Sequence, residues 1–332
     1  MTILDTFKSR IQVAERILIT THEVPDADGI GSEISLCLAL REFGKQCYCV
    51  NEEPLLDRYT YLDEDKVVMG FNDYQKNHPD FKPDLIIVVD TNTKTRVGQR
   101  VSKYIGEKLS TLYVDHHPWR SKEEASKHCI DITAAATGQV VGELIEYLGV
   151  QLTKKIALPI YTAIIIDTSS FRYPTVSANT HRLVAKLMAT GINPPEAYNG
   201  IYGTKRVHHM HLLARILDTA ATNADESIAW MLLRKQDIDK FASDVEDTHA
   251  FINNLLVLNN IKVAAMFRDD GDHVKVSLRS SGEFDVGMIA MGLGGGGHSH
   301  SAATLIAKAK DETTEQVISR TIKIVEDILK TM

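Results

Sequence analysis

Four times in the first half of the chain, a short apolar run of strand length stops abruptly at acidic or histidine residues and gives way to a helical pattern. Ile17 to Thr20 runs into Thr21-His22, Leu85 to Val89 into Asp90, Leu112 to Val114 into Asp115-His116-His117, and Ile164 to Ile166 into Asp167. Continuous apolar runs mark strands buried on both faces, and their alternation with helices predicts an α/β fold with a parallel sheet covered on both sides. Ile30 to Phe43, Val140 to Leu148 and Leu183 to Met188 supply apolar faces for the covering helices, with Gly44, Gly149 and Gly191 as stops. In such sheets ligands bind at the carboxyl ends of the strands, where all four polar clusters are expected to fall.

The rhythm changes after Asn193-Pro194-Pro195, which reads as the start of connecting helices. Strands are expected at Ile228 to Leu233 and Ile261 to Phe267, a hairpin turn at Asp269-Asp270-Gly271-Asp272 leading into His273 to Leu278, a helix near Val286 to Met291, and a last amphipathic helix from Thr314 to Leu329. This predicts a catalytic domain over 1–190, a helical linker over 191–225, and a smaller α/β domain with a mixed sheet over 226–332, with a cleft between the two domains. The length of 332 residues fits two domains at roughly 100–200 residues each.

The charge balance, 37 Lys+Arg against 44 Asp+Glu for a net −7, argues against a protein that coats duplex nucleic acid, a role that needs a basic excess. It leaves a small anionic substrate open. Cys37, Cys47, Cys49 and Cys129 are too few and too unevenly spaced for a disulfide framework and are expected to pack in the interior. No apolar run is long enough to span a membrane and the first residues lack a signal-peptide pattern, so a cytoplasmic location is expected.

His22, Asp26 and Asp28 share one turn after a strand, and alternation lets the two carboxylates face two neighbouring cations. Asp90, Asp115-His116-His117 and Asp167 add further acids and imidazoles. Each alone could be a helix cap or a satisfied core histidine. Four or five carboxylates crowded into one cleft instead call for cations, since like charges at short range otherwise drive protonation. Mixed carboxylate and imidazole donors suit Mn²⁺ better than thiophilic zinc, and two such ions about 4 Å apart would activate a hydroxide for attack on phosphorus. In the second domain, the successive backbone N–H groups of Gly294-Gly295-Gly296-Gly297 can wrap an anion, with charge-assisted bonds from His298 and Arg279. Arg172, five residues after Asp167, is a candidate for substrate phosphate or for pairing with a site carboxylate.

In order, His22-x3-Asp26-x-Asp28, Asp90, Asp115-His116-His117 and Asp167-Thr168-Ser169-Ser170-Phe171-Arg172 resemble the four motifs of the DHH phosphoesterase superfamily. Gly294 to His298 resembles the glycine-rich motif of the DHH-associated domain, and Val276-Ser277-Leu278-Arg279-Ser280 its substrate-arginine strand. The resemblance implies that His22, Asp26 and Asp90 hold one metal and Asp28, Asp90, His116 and Asp167 the other, with Asp90 as the bridge. It places His117 near the scissile phosphate and makes Asp115 the partner that orients an imidazole. Arg279, Ser280, Gly295, Gly296, Gly297 and His298 become substrate contacts, to which Arg172 and His300 are added. The segment Ser299 to Ala303 departs from the pattern that commonly follows the glycines in relatives.

Implied cofactors are two divalent ions, Mn²⁺ first, with Mg²⁺ or Co²⁺ as substitutes. The implied activity is that of the stand-alone nanoRNase and pAp phosphatase type, acting on short oligoribonucleotides and on 3′-phosphoadenosine 5′-phosphate. Hydrolysis of cyclic or linear dinucleotides (c-di-AMP, c-di-GMP, pApA, pGpG) is the alternative, and a catalytically silent nucleotide sensor a distant one. The glycine motif argues against a manganese pyrophosphatase. No long duplex and no membrane is expected as partner, and homodimerisation is left open.

Overall fold

Strand β1 (Arg16–Thr20) is the axis of the first sheet. The other strands are β2 (Gln46–Asn51), β3 (Val68–Gly70), β4 (Leu85–Val89), β5 (Thr111–Asp115) and β6 (Cys129–Ile130), all parallel, in the order β3-β2-β1-β4-β5-β6. The computed structural model describes residues 2–330 apart from 107–108, 120, 204–205, 242–247, 249, 281–283 and 298. The strand order reverses between β1 and β4, which opens a crevice at their carboxyl ends. Thr20 pairs with Val88 and Val89 with Val114, so the residues that follow β1, β4 and β5 leave the sheet side by side.

The chain divides into two units, residues 1–204 and 205–332. In the first, helix Ala27–Glu42 and helix Lys154–Asp167 are buried around most of their circumference. They cross so closely that a Cβ on Gly31 would lie 2.3 Å from the Pro159 carbonyl oxygen. Ile164 to Ile166, expected as a strand, is instead the last turn of helix Lys154–Asp167. A short apolar run reads the same for a buried strand and a buried helix. The uniformly apolar stretch here begins at Ile156, and a run of that length surrounded by protein is helical.

The second unit contains β7 (Ala221–Thr222), β8 (Ile228–Arg234), β9 (Val263–Asp269), β10 (His273–Ser280), β11 (Gly296–Gly297) and β12 (Ser301–Ala307). Their order is β11-β12-β10-β9-β8-β7, with β8 and β9 parallel and the other pairs antiparallel, which makes the sheet mixed. The β9–β10 hairpin turns at Gly271, whose φ of +96° suits glycine. Helix Thr314–Leu329 starts in a Thr313/Gln316 capping box and presses Val317, Ile318, Ile322 and Val325 onto this sheet.

Of the connecting helices, Pro194–Tyr202 packs Ala197 into the first core, while Val207–Leu217 packs Leu212 and Ile216 into the second unit. All four cysteines are free and buried. Among the described residues, no helix is long and apolar enough to cross a membrane.

Candidate metal centre and phosphate loop

The turn after β1 carries His22 and enters helix Ala27–Glu42 through Asp26, whose carboxylate accepts the Asp28 and Gly29 amides at 2.9 and 3.3 Å. Asp26 is therefore an N-cap as well as a candidate ligand. Gly29 has to be glycine, because a Cβ there would lie 2.3 Å from Thr21 Oγ1 and 3.4 Å from Asp90 Oδ2. Asp90 itself sits at φ +58°, a left-handed conformation that costs a non-glycine residue energy and recurs at functional sites.

Three groups of acid and imidazole donors converge here: His22, Asp26 and Asp90; Asp28, His116 and Asp167; and Asp90, His116 and His117. In each, the donor atoms lie within 4.8 Å of one another. Asp167 reaches its group from the carboxyl end of a helix rather than from a strand. Asp90 belongs to two groups, facing His22 Nε2 at 3.5 Å with Oδ2 and His117 Nδ1 at 3.8 Å with Oδ1. His116 Nε2 lies 3.2 Å from Asp167 Oδ2 and 3.9 Å from Asp28 Oδ2.

The imidazole tautomers follow from their partners. His22 Nδ1 faces the Glu23 carbonyl at 3.1 Å and His116 Nδ1 the Ala134 carbonyl at 3.3 Å. A carbonyl only accepts, so each Nδ1 carries a hydrogen and it is Nε2 that is turned to the carboxylates. His117 Nδ1 is 2.6 Å from Asp115 Oδ1, which also accepts the His116 amide at 2.8 Å. Asp115 is fully buried and lies in none of the three groups.

Burial pushes the Asp28 carboxyl up to about 6, with the His116 charge opposing and the Asp26 charge adding to the rise. Burial, followed by the charges of Asp28 and Asp26, holds Asp90 and Asp167 well above the ordinary carboxylate range. Imidazole Nε2 atoms turned to crowded carboxylates make a donor set that divalent cations fit. Oxygen and nitrogen donors without sulfur suit divalent cations rather than thiophilic ones.

Sequence reasoning passed over the supports of this cluster. Thr137 is buried, and its hydroxyl donates to Asp90 Oδ1 at 3.0 Å. The Thr137 and Gly138 amides donate to Asp28 Oδ2 and Oδ1, each at 2.8 Å. Asn92 Nδ2 donates to the Pro118 carbonyl at 2.8 Å, tying the loop after β4 to the one after β5. Such residues carry no metal-ligand signature; only the Ala-Ala-Thr-Gly start of a helix hints at a close approach.

In the second unit, side chains alternate across β10. Ser280 lies on the core face with Val276 and Leu278, while Arg279 is half-buried on the other face, with Nη1 donating to the Leu278 carbonyl at 2.9 Å. The Ser280 hydroxyl lies 2.6 Å from the Phe284 carbonyl oxygen, 3.2 Å from that of Ser299 and 3.1 Å from His300 Nδ1, so it ties three segments together. Burial lowers the basicity of His300.

Cβ atoms on Gly295 and Gly297 would lie 2.2 Å from the Ala303 carbonyl oxygen and 2.4 Å from Ala302 Cα, so pairing with β12 demands both glycines. Gly294 has φ +80°, and a Cβ on Gly296 would meet nothing within 4 Å. His298 lies outside the described residues. Arg172 is exposed and forms no ion pair with a site carboxylate among the described residues; it ends a turn in which Ser169, Ser170 and Phe171 all have positive φ.

A doubly wound sheet with acid and imidazole donors at its reversal point, in a chain that also has a mixed-sheet unit with a glycine loop, is the arrangement of a two-domain α/β phosphoesterase. Residues 16–164 match the model of the DHH family, N-terminal domain, and residues 213–331 that of the DHHA1 domain. The chain belongs to the DHH family of phosphoesterases.

It is 30% identical to the bifunctional oligoribonuclease and PAP phosphatase NrnA of Thermus thermophilus over 91% of this chain and 88% of that protein. It is 27% identical to the NrnA of Bacillus subtilis over 87% and 88%. The structure of an exopolyphosphatase-related protein from Bacteroides fragilis has the same fold, with a TM-score of 0.83 at 23% identity, covering 99% of this chain and 96% of that one.

Proposed function

We propose that the chain hydrolyses phosphoester bonds in short oligoribonucleotides and removes the 3′-phosphate of 3′-phosphoadenosine 5′-phosphate, using two divalent cations, Mn²⁺ first. The observation that carries this reading is the convergence of His22, Asp26, Asp28, Asp90, His116 and Asp167 at the β1/β4 crevice, with Asp90 shared between groups. Similarity to two NrnA proteins across both domains supports the substrate class.

His22, Asp26 and Asp90 would hold one cation, and Asp28, Asp90, His116 and Asp167 the other. When bound, such cations supply Lewis-acid charge for the phosphoryl oxygens and ease the ionisation of water. The Glu23 and Ala134 carbonyls fix His22 and His116 with Nε2 turned to the carboxylates. Asp115 keeps the proton of His117 on Nδ1 and stabilises the imidazolium, so that a second proton on Nε2 can pass to the leaving oxygen. Arg279, the N–H groups of Gly295 to Gly297, and His298 would bind substrate phosphate, with Arg172 and His300 as further contacts and Ser280 bracing the His300 segment.

A panel of 3′-phosphoadenosine 5′-phosphate, a short oligoribonucleotide, c-di-AMP and pyrophosphate, each with and without Mn²⁺, tests the reading. Mn²⁺-dependent turnover of the first two is expected. Preference for c-di-AMP would move the assignment to a dinucleotide phosphodiesterase, and turnover of pyrophosphate alone would overturn it.

A further inference from the structure

Thr137 lies outside every motif that drew attention in the sequence, yet it touches both sides of the metal centre. It opens helix Thr137–Leu148, is fully buried, donates its amide to Asp28 Oδ2 at 2.8 Å, and donates its hydroxyl to Asp90 Oδ1 at 3.0 Å. We propose that Thr137 is a positioning residue that fixes the separation and orientation of the Asp28 and Asp90 carboxylates and thereby sets the affinity of the chain for its divalent cations. The inference rests on the metal-dependent reading above.

Its geometry assigns each carboxylate oxygen a task. Asp28 takes one helix amide on each oxygen, Thr137 on Oδ2 and Gly138 on Oδ1, with the Ser32 hydroxyl also donating to Oδ1 at 3.3 Å, and Oδ2 is the oxygen that faces His116. Asp90 is held at Oδ1 by the Thr137 hydroxyl, and its Oδ2 is the oxygen that faces His22. Hydroxyls and amides stabilise carboxylates without bringing a positive charge that would compete with a metal.

Neighbouring packing accounts for the other residue of the pair: a Cβ on Gly138 would lie 2.5 Å from Ala163 Cβ, so glycine is imposed by the helix crossing. Nothing similar accounts for the threonine hydroxyl. Valine would fill nearly the same volume, and the first residue of a helix has no need of a side-chain donor. The hydroxyl is explained by Asp90.

The test is Mn²⁺ binding, measured by titration calorimetry and by the electron paramagnetic resonance of free Mn²⁺, on the wild-type chain, Thr137→Val and Thr137→Ser. Melting temperatures in chelator verify that each variant is folded. Thr137→Val removes only the hydroxyl donor and is expected to weaken binding by about 10- to 100-fold, the usual range for a hydrogen-bond partner of a ligand. Thr137→Ser restores the donor and is expected to bind within a few-fold of wild type. If Thr137→Val does not fold, Thr137→Ser and Thr137→Ala carry the same comparison. Equal affinity of the hydroxyl-bearing and hydroxyl-free chains overturns the inference while leaving the metal reading intact. A wild-type chain that binds no Mn²⁺ removes the reading and the inference together.

Discussion

The metal centre and the glycine loop answer oppositely to the question of what the fold itself needs. At the crevice of the first sheet, burial and like charge hold Asp28, Asp90 and Asp167 in an environment that opposes their ionisation, even though Asp28 also takes the Thr137 and Gly138 amides. In the loop of the second unit, Gly295 and Gly297 are demanded by the backbone of β12, and Gly294 by its φ of +80°, while Gly296 has both an ordinary φ and open space where a side chain would go. Three carboxylates whose charge their surroundings oppose point to a ligand. Of the glycines at 295 to 297, one does.

The largest effect is expected from Asp90→Asn. Losing the carboxylate shared by two groups should lower kcat by at least about 10²- to 10³-fold, the scale of removing one electrostatic contact at a transition state. The same substitution should raise the melting temperature of the chelated protein, because it removes a charge that burial and its neighbours disfavour; relief of each kcal/mol corresponds to roughly 2–4 °C. A dead enzyme with a higher chelated melting temperature would show function and stability opposed at this residue. An unchanged or lower melting temperature would break that half of the comparison.

The next effect belongs to Arg279. Arg279→Ala should raise KM by about 10- to 100-fold with little change in kcat, if it removes the proposed charge-assisted contact to phosphate and leaves the acid and imidazole cluster in place. Loss of kcat at unchanged KM would assign it to the chemistry instead.

The pH dependence of stability sharpens the contrast. The folded-state Asp28 carboxyl titrates at about 6 against an ordinary value of 3.8. Between those values the folded chain binds more protons than the unfolded one, so the metal-free protein loses stability as pH rises through that window and regains it on acidification. Mn²⁺ compensates the charge, and the melting-temperature gain from Mn²⁺ should therefore be larger near about pH 7.5 than near about pH 5. A gain independent of pH would contradict the picture of carboxylates awaiting cations.

The smallest effects separate the glycines. Gly295→Ala should cost roughly 1–3 kcal/mol of stability through overpacking, whereas Gly296→Ala should stay within about 0.5 kcal/mol of wild type and raise KM. Equal destabilisation by the two would erase the distinction between glycines the fold requires and the one it does not.

The sequence made legible what repeats or stands out chemically. Apolar runs ending in His22, Asp90 and Asp115-His116-His117 marked the strand ends because parallel strands buried on both faces cannot alternate. Thr314 to Leu329 was readable because its apolar stripe has the helical period. Ile164 to Ile166 was misread because a helix buried on all sides loses that period. Thr137, Gly138 and Asn92 were invisible because a backbone amide, a hydroxyl or a side-chain amide says nothing of its partner until the chain has folded, and Thr137 meets Asp28 and Asp90 across 109 and 47 residues. The structure also separated Ser280 from Arg279, since adjacent residues in a strand face opposite ways.

The central claim is that the chain hydrolyses short ribonucleotide phosphoesters and needs divalent cations, held around Asp90, to do so. Its most direct measurement is the rate of hydrolysis of 3′-phosphoadenosine 5′-phosphate and of a short oligoribonucleotide by the wild-type chain and Asp90→Asn, each with Mn²⁺ and with chelator. The account predicts turnover of both substrates by the wild type with Mn²⁺, and almost none in the other three arms. Full activity of Asp90→Asn, or equal activity of the wild type in chelator, would contradict it.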